Sequence, residues 1–288
     1  MNNTEFNPDT NKIQLSFKGL KILSRIGSGG QKIVYRAEHP KYGKVALKLI
    51  KPCSPKDTER ILREISTATK LIGPEFSKIH FFGEVKIDST NTLYVFEELL
   101  EGQSLRQLLT TNKKLSLRDT LRITKALLET LVKVEKANIV HGDIKPENIF
   151  ITEDNRIILI DFGIARHLEL PSITHDYALL GPLTPGYAAP EQIKNEKRKI
   201  STRTDIFLLG IVVYECLVGY NPFIEGCANG REALDKNLNY DPKPLRAFGF
   251  SKNISDFVET CLQKHPNRRY SSPLDALQII QNILEEVK

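Results

Sequence analysis

Apolar and polar positions alternate with a period near two along three short runs, Leu20-Ile26, Lys32-Glu38 and Lys44-Ile50. They are separated by Gly27-Ser28-Gly29-Gly30 and by Pro40-Lys41-Tyr42-Gly43. That period sends successive side chains to opposite faces of an extended strand, and glycine and proline mark the reversals, so a three-strand meander is predicted. The period then lengthens: Ile61, Ile65, Ala68 and Ile72 recur at three- and four-residue spacing, predicting a helix over Pro55-Leu71 with Glu64 facing inward. Two more strands, Ile79-Ile87 and Thr92-Glu97, complete a five-strand half. After Gly102 helical spacing takes over. Ser104 with Gln107 predicts a capping box, and Leu117-Ala137 carries a long helix. Only Asn148-Ile151 and Ile157-Ile160 interrupt it with β-rich runs, and there is no internal repeat. An α+β chain follows, with a β-rich lobe (19–97), an acidic strap (97–102), a mostly helical lobe (103–288) and a cleft between the lobes. Residues 1–18 are Asn-rich and weakly patterned, and a flexible leader is expected there.

Composition narrows the class. The 288 residues are 40% hydrophobic and 26% charged, an ordinary globular balance. The longest apolar stretch, Ile206 to Tyr214, is about half of the roughly 20 residues a spanning helix needs. The first residues, Met1-Asn2-Asn3-Thr4-Glu5, lack a basic head followed by an apolar run. A cytoplasmic protein without membrane contact is expected. Cys53, Cys216, Cys227 and Cys261 are scattered, with no Cys-x-x-Cys pair, and read as free thiols. The net charge of +6 is spread along the chain, and its densest run, Lys194 to Lys199, contains Glu196. It reads as a solvated surface, and no nucleic-acid partner is expected.

Candidate chemistry is concentrated in three places. Gly27-Ser28-Gly29 lies between strands, where absent Cβ atoms let backbone N–H groups approach a phosphate, although such glycines also serve simple chain reversal. Val45-Ala46-Leu47-Lys48 places a lysine in an apolar strand, where its ammonium needs an anion; inward-facing Glu64 is one candidate. His141-Gly142-Asp143-Ile144-Lys145-Pro146-Glu147-Asn148 gathers a carboxylate, a cation and an amide in one loop, and Asp161-Phe162-Gly163 follows directly after the apolar run Ile157-Ile160. Asp161 and Asn148 offer hard oxygen ligands for Mg²⁺.

On these residues the chain resembles the eukaryotic-type (Hanks-type) serine/threonine protein kinase family, over roughly residues 20 to 285. The resemblance implies a bilobal fold: a small five-stranded antiparallel β lobe with one main helix, a larger helical lobe, and an ATP cleft. Ile26, Gly27, Ser28, Gly29 and Gly30 would cover the ATP phosphates, with Val34 and Ala46 against adenine. Lys48 would contact the α- and β-phosphates and pair with Glu64. Phe96 would be the gatekeeper, and the Glu97 carbonyl and the Leu99 backbone would bind the base. Asp143 would accept the proton of the substrate hydroxyl, and Lys145 would stabilise the γ-phosphate. Asn148 and Asp161 would hold Mg²⁺, with Mn²⁺ as an alternative. Thr184 would bond Asp143 and Lys145, Glu191 would pair with Arg269, and Asp205 would steady the loop at His141-Asp143. Lys145 and Thr184-Pro185-Gly186-Tyr187 resemble the serine/threonine branch, so the partners implied are ATP and proteins carrying serine or threonine.

Two departures qualify the match. Lys32 replaces the third loop glycine, with Gln31 at the tip, which bears on ATP affinity. Gly142 replaces the arginine that in this family reads a phosphate on the activation segment, so activity is expected without phosphorylation at Ser172, Thr174 or Tyr177. One alternative is a small-molecule kinase of the aminoglycoside or choline type, suggested by His141-Gly142-Asp143 and opposed by Asp161-Phe162-Gly163 with Ala189-Pro190-Glu191. A pseudokinase scaffold is the other, opposed by the intact Lys48, Glu64, Asp143, Asn148 and Asp161. The short unadorned chain resembles a stand-alone bacterial or phage member, with a secreted effector as the further option.

Overall fold

The structure, a computed structural model, describes residues 6–29, 32–52, 54–162 and 183–287, and only the backbone of Lys56, Asp57, Arg60 and Glu64. The chain divides into two compact units, residues 1–72 with 76–101, and residues 73–75 with 102–288.

In the first unit the predicted meander and its two companions form one antiparallel sheet. Its strands are β1 (Lys21–Ser28), β2 (Lys32–His39), β3 (Gly43–Ile50), β4 (Ile79–Ile87) and β5 (Thr90–Glu98), in the order β1-β2-β3-β5-β4. The register separates the two faces. Tyr35 lies opposite Leu47 and Leu47 opposite Phe96, and these side chains are buried together with Ile33, Ala37, Val45 and Leu49 in one core. The other face carries Val34 opposite Lys48, Lys48 opposite Val95, and Ala46 opposite Glu97. Since directly opposed residues share a face, Phe96 cannot stand beside Lys48.

Helix α2 (Pro55–Ala68) buries Ile61, Ile65 and Ala68 as expected. It stops short of the predicted end: Ile72 lies beyond it and is 85% exposed. The expected flexible leader is also corrected, because residues 10–16 form helix α1 (Thr10–Ser16). Asp9 caps it by accepting from the Asn11 N–H, Ile13 is fully buried, and Lys12 pairs with Asp88 at 2.8 Å. Phe17, just after it, packs edge-on against Tyr94 and Phe96, with ring centroids at 4.8 and 5.4 Å. One buried isoleucine and one aromatic anchor thus hold a segment whose weak pattern looks unstructured in sequence.

The second unit opens at Gly102, where the chain takes φ of +144° and an added Cβ would run into the Ile151 carbonyl. Glycine is therefore required for β6 (Gly102–Ser104) to pair with β7 (Ile149–Thr152), which in turn pairs with β8 (Ile157–Leu159). The capping box forms as predicted at the start of α3 (Leu105–Asn112): Ser104 Oγ accepts from the Gln107 N–H, and Gln107 Oε1 accepts from the Ser104 N–H at 2.8 Å. Helix α4 (Leu117–Lys136) follows, then the short α5 (Pro190–Ile193) and α6 (Thr202–Val218). Every residue of α6 from Thr204 to Leu217 is buried, as befits a helix that is apolar on all sides. Then come α7 (Gly230–Asn239), which packs against α5, and α8 (Lys252–Cys261) and α9 (Pro273–Glu286), which pack against α6. No described helix is long and apolar enough to cross a membrane. Cys216, Cys227 and Cys261 are free thiols, while Cys53 lies outside the described residues.

Candidate functional site

Two groups of side chains, one in each unit, carry the expected chemistry. In the first unit, Val34, Ala46 and Lys48 share one sheet face. Gly27 lies opposite Val34, and the Gly29 N–H donates to the Lys32 carbonyl at 2.9 Å, drawing the two strand ends together. A Cβ added at Gly29 would meet nothing within 4 Å, so packing does not require glycine there. Gly30 lies outside the described residues, as does the side chain of Glu64. The Lys48 ammonium forms an ion pair with the Glu97 carboxylate, both side chains being about nine-tenths buried (10% and 9% exposed). Two expectations therefore change. Phe96, expected as the gatekeeper, points into the core under Phe17, and Glu97, expected to act through its backbone, presents its carboxylate to Lys48.

In the second unit the loop from His141 to Asn148 is held from several sides. The carboxylate of Asp205, fully buried on α6, accepts from the His141 N–H at 2.9 Å and from the Gly142 N–H at 2.7 Å. The Gln192 amide accepts from the Ala189 N–H at 3.0 Å and donates to the Gly142 carbonyl at 2.9 Å. Gly142 sits at φ +70°, in the left-handed region that glycine enters without strain. His141 Nδ1 accepts from the Asp143 N–H at 3.2 Å, which assigns the hydrogen to Nε2, facing the Ile160 carbonyl at 3.0 Å. The Phe162 ring packs edge-on against His141 at 4.8 Å. This loop is thus tied to the residues on either side of Asp161.

Asp143 is oriented by neighbours from the same loop. Asn148 Nδ2 donates to its Oδ2 at 2.9 Å and to its backbone carbonyl at 2.8 Å. Lys145 Nζ lies 3.1 Å from Oδ2 and donates to Thr184 Oγ1 at 2.8 Å, and the Thr184 hydroxyl reaches Asp143 Oδ1 at 3.5 Å. Asp161 adopts φ +65°, in the left-handed region that aspartate enters more readily than most residues with a side chain. Glu191 and Arg269 form the expected buried pair.

Sequence reasoning missed a second cluster. Arg106 on α3 donates to Glu147 at 2.7 Å, to Glu215 at 2.6 Å and to the Tyr187 hydroxyl at 2.7 Å, and Tyr187 also bonds Glu215. Burial, and after it the Glu215 carboxylate, push the Tyr187 phenol up, so it remains a donor. These partners are far apart in the chain, and only a buried glutamate on an apolar helix could have signalled them. Ser172, Thr174, Tyr177 and Gly163 lie outside the described residues.

The protein kinase domain model matches residues 20–285. The chain is 31% identical over 270 residues to serine/threonine-protein kinase PknA of Mycobacterium tuberculosis, covering 91% of this chain and 60% of that protein. To serine/threonine-protein kinase PrkC of Bacillus subtilis it is 31% identical over 264 residues, covering 88% and 39% respectively. A probable serine/threonine-protein kinase of Streptomyces coelicolor, SCO3848, is 31% identical over 259 residues, covering 86% and 37%. The chain therefore spans between 37% and 60% of the length of these relatives. The crystal structure of the Mycobacterium tuberculosis PknI kinase domain superposes with a TM-score of 0.72 at 23% identity, covering 92% of this chain and 96% of that one. That likeness establishes the fold: an antiparallel β lobe with a helical lobe, as the hydrophobic pattern predicts.

Proposed function

From the premise that the chain belongs to the protein kinase domain family, we propose that it transfers the γ-phosphate of ATP to serine or threonine hydroxyls of protein substrates. The observation that carries this reading is the Asp143 carboxylate, oriented at once by Asn148 and Lys145 in a loop anchored on buried Asp205. Phosphoryl transfer asks little covalent chemistry of a protein, and catalysis is mostly positioning and charge neutralisation. Asp143 receives the proton of the attacking hydroxyl, a role that supplies about 10²- to 10⁴-fold. Lys145, bonded to Thr184, neutralises charge on the transferred group. The same Lys145–Thr184 bond supports the serine/threonine branch.

In the first unit, Lys48 meets the nucleotide phosphates and Val34 and Ala46 lie against the base. Gly29 supports this reading, since its missing Cβ leaves open space that packing does not use. With Glu97 beside Lys48, the base-binding backbone groups move one residue along, to the Glu98 carbonyl and the Leu100 N–H.

Asn148 and Asp161 fit a Mg²⁺ ion in their chemistry. The Asn148 amide directs its nitrogen to Asp143, which leaves its oxygen as the ligand atom, and a carboxylate with an amide oxygen is a hard donor set. When bound, the ion would neutralise phosphate charge. An all-oxygen donor set suits Mg²⁺ and Mn²⁺ alike.

The loop at Gly142 is held by Asp205 and Gln192, both protein groups, which supports activity without a phosphate on the activation segment. Incubation with ATP, Mg²⁺ and a generic basic protein, followed by phosphoamino acid analysis, tests the whole reading. Phosphoserine and phosphothreonine are expected. Phosphotyrosine, or label carried only by an added aminoglycoside or choline, would refute it.

A further inference from the structure

We propose that Glu97 is a positioning residue for Lys48, its carboxylate holding the ammonium where nucleotide phosphates meet it. This rests on the reading of Lys48 as a phosphate ligand. Lys48 and Glu97 are diagonal neighbours on one face of adjacent strands, since Lys48 opposes Val95 and Ala46 opposes Glu97. Long side chains span that diagonal, and here they close into an ion pair.

Both groups are buried in largely apolar stretches of their strands, with Val34 and Val95 on their own face and Leu47, Leu49 and Phe96 on the opposite one. Fold stability is a poor reason for such a pair, because a well-packed apolar pair in its place is often as stable or more so. Placement of the ammonium is a better one. A lysine has a flexible four-carbon stem, and pinning it in advance removes an ordering cost from ligand binding. An ammonium carries three donors, so a carboxylate and phosphate oxygens can share it. Glu97 therefore adds a partner from within the sheet to the Glu64 partner implied by the family resemblance, and does not displace it. Both ends of this link sit on hydrogen-bonded strands of one sheet, so it does not depend on the position of helix α2.

The test compares binding of ADP with Mg²⁺ and of adenosine to the wild-type chain, Glu97→Met, Glu97→Gln, Lys48→Met and Lys48→Met/Glu97→Met. Glu97→Met and Lys48→Met are each expected to weaken ADP roughly tenfold or more. The double variant is expected to be no weaker than Lys48→Met, and adenosine to stay within about twofold throughout. Glu97→Gln, nearly isosteric, carries the same test should Glu97→Met fail to fold, with weaker ADP and unchanged adenosine expected. ADP binding by Glu97→Gln or Glu97→Met equal to wild type, or equal losses for ADP and adenosine, would overturn the proposal. If wild type binds ADP through Lys48 while the Glu97 variants match it, this inference fails alone. If wild type binds no ADP, the functional reading fails with it.

Discussion

Arg269 grips Glu191 with both ends of its guanidinium, Nη1 to Oε1 at 2.7 Å and Nη2 to Oε2 at 2.9 Å, and both side chains are completely buried. Its remaining donors reach the carbonyls of Gln263, Arg203 and Lys264. Thr204 adds a hydrogen bond to Glu191 at 2.7 Å. The pair thus joins the start of α5 to the chain ahead of α9. Removing one partner strands the other charge in the interior, so Glu191→Gln and Arg269→Met are each expected to cost about 3 to 5 kcal/mol in denaturant unfolding. Arg269→Lys should fare little better, because an ammonium cannot reproduce the planar fork. Losses below 1 kcal/mol would contradict this account.

Asp205 holds the backbone of the catalytic loop directly from α6. In Asp205→Asn one carboxylate oxygen becomes an NH₂ group facing a backbone N–H, so one of two buried donors loses its acceptor, at about 1 to 3 kcal/mol. The loop carrying Asp143 then shifts, and a fall in kcat of about 100-fold is expected. The ADP dissociation constant should change little. An equal loss in binding and turnover would show that Asp205 supports the unit generally and not this loop.

Lys264 gives stability a pH signature. Its ammonium lies over the Phe223 ring at 4.6 Å and the Phe207 ring at 5.7 Å, and donates to the Asn237 carbonyl at 3.0 Å. Burial pushes it down from 10.5 to about 8, an effect that Asp241 opposes and Arg269 reinforces. Between those values the unfolded chain binds the extra proton, so the contribution of this group to stability rises as pH increases through that window. Below pH 8 the burial cost is felt in full. The unfolding free energy of wild type minus that of Lys264→Met should therefore increase from pH 8 to pH 10. A flat difference would remove Lys264 as the cause.

The hydrophobic period, with glycine and proline at the reversals, located the five strands and α4 to within a residue or two, because that pattern is written locally even where a strand buries no residue (β1) or buries both faces (β3). The capping box at Ser104 was legible as a local Ser-x-x-Gln pattern, and the roles of Asp205 and Glu191 as residue types at family-specific spacings. What escaped was non-local. Helix α1 buries only Ile13, too little for a seven-residue segment to show amphipathic spacing, although Asp9 was readable as a cap. The face occupied by Phe96 depends on the β3–β5 register, which involves two strands and cannot be counted along one. A charged residue following Tyr94-Val95-Phe96 was the available hint. Arg106 finds partners 41, 81 and 109 residues away, and no local pattern announces them.

Gly142 makes a prediction about regulation. With its backbone held by Asp205 and Gln192, replacing Ser172, Thr174 and Tyr177 together by alanine or phenylalanine should leave most of the activity in a steady-state assay. Complete loss would show that the segment needs a modified side chain.

Transfer of label from γ-labelled ATP to a generic basic protein in the presence of Mg²⁺, comparing wild type with Asp143→Asn, tests the central claim most directly. Wild type is expected to label serine and threonine, and Asp143→Asn to bind ADP normally while losing about 10²- to 10⁴-fold in rate. Label appearing at the wild-type rate in Asp143→Asn, or no protein label from a wild-type chain that binds ATP, would contradict it.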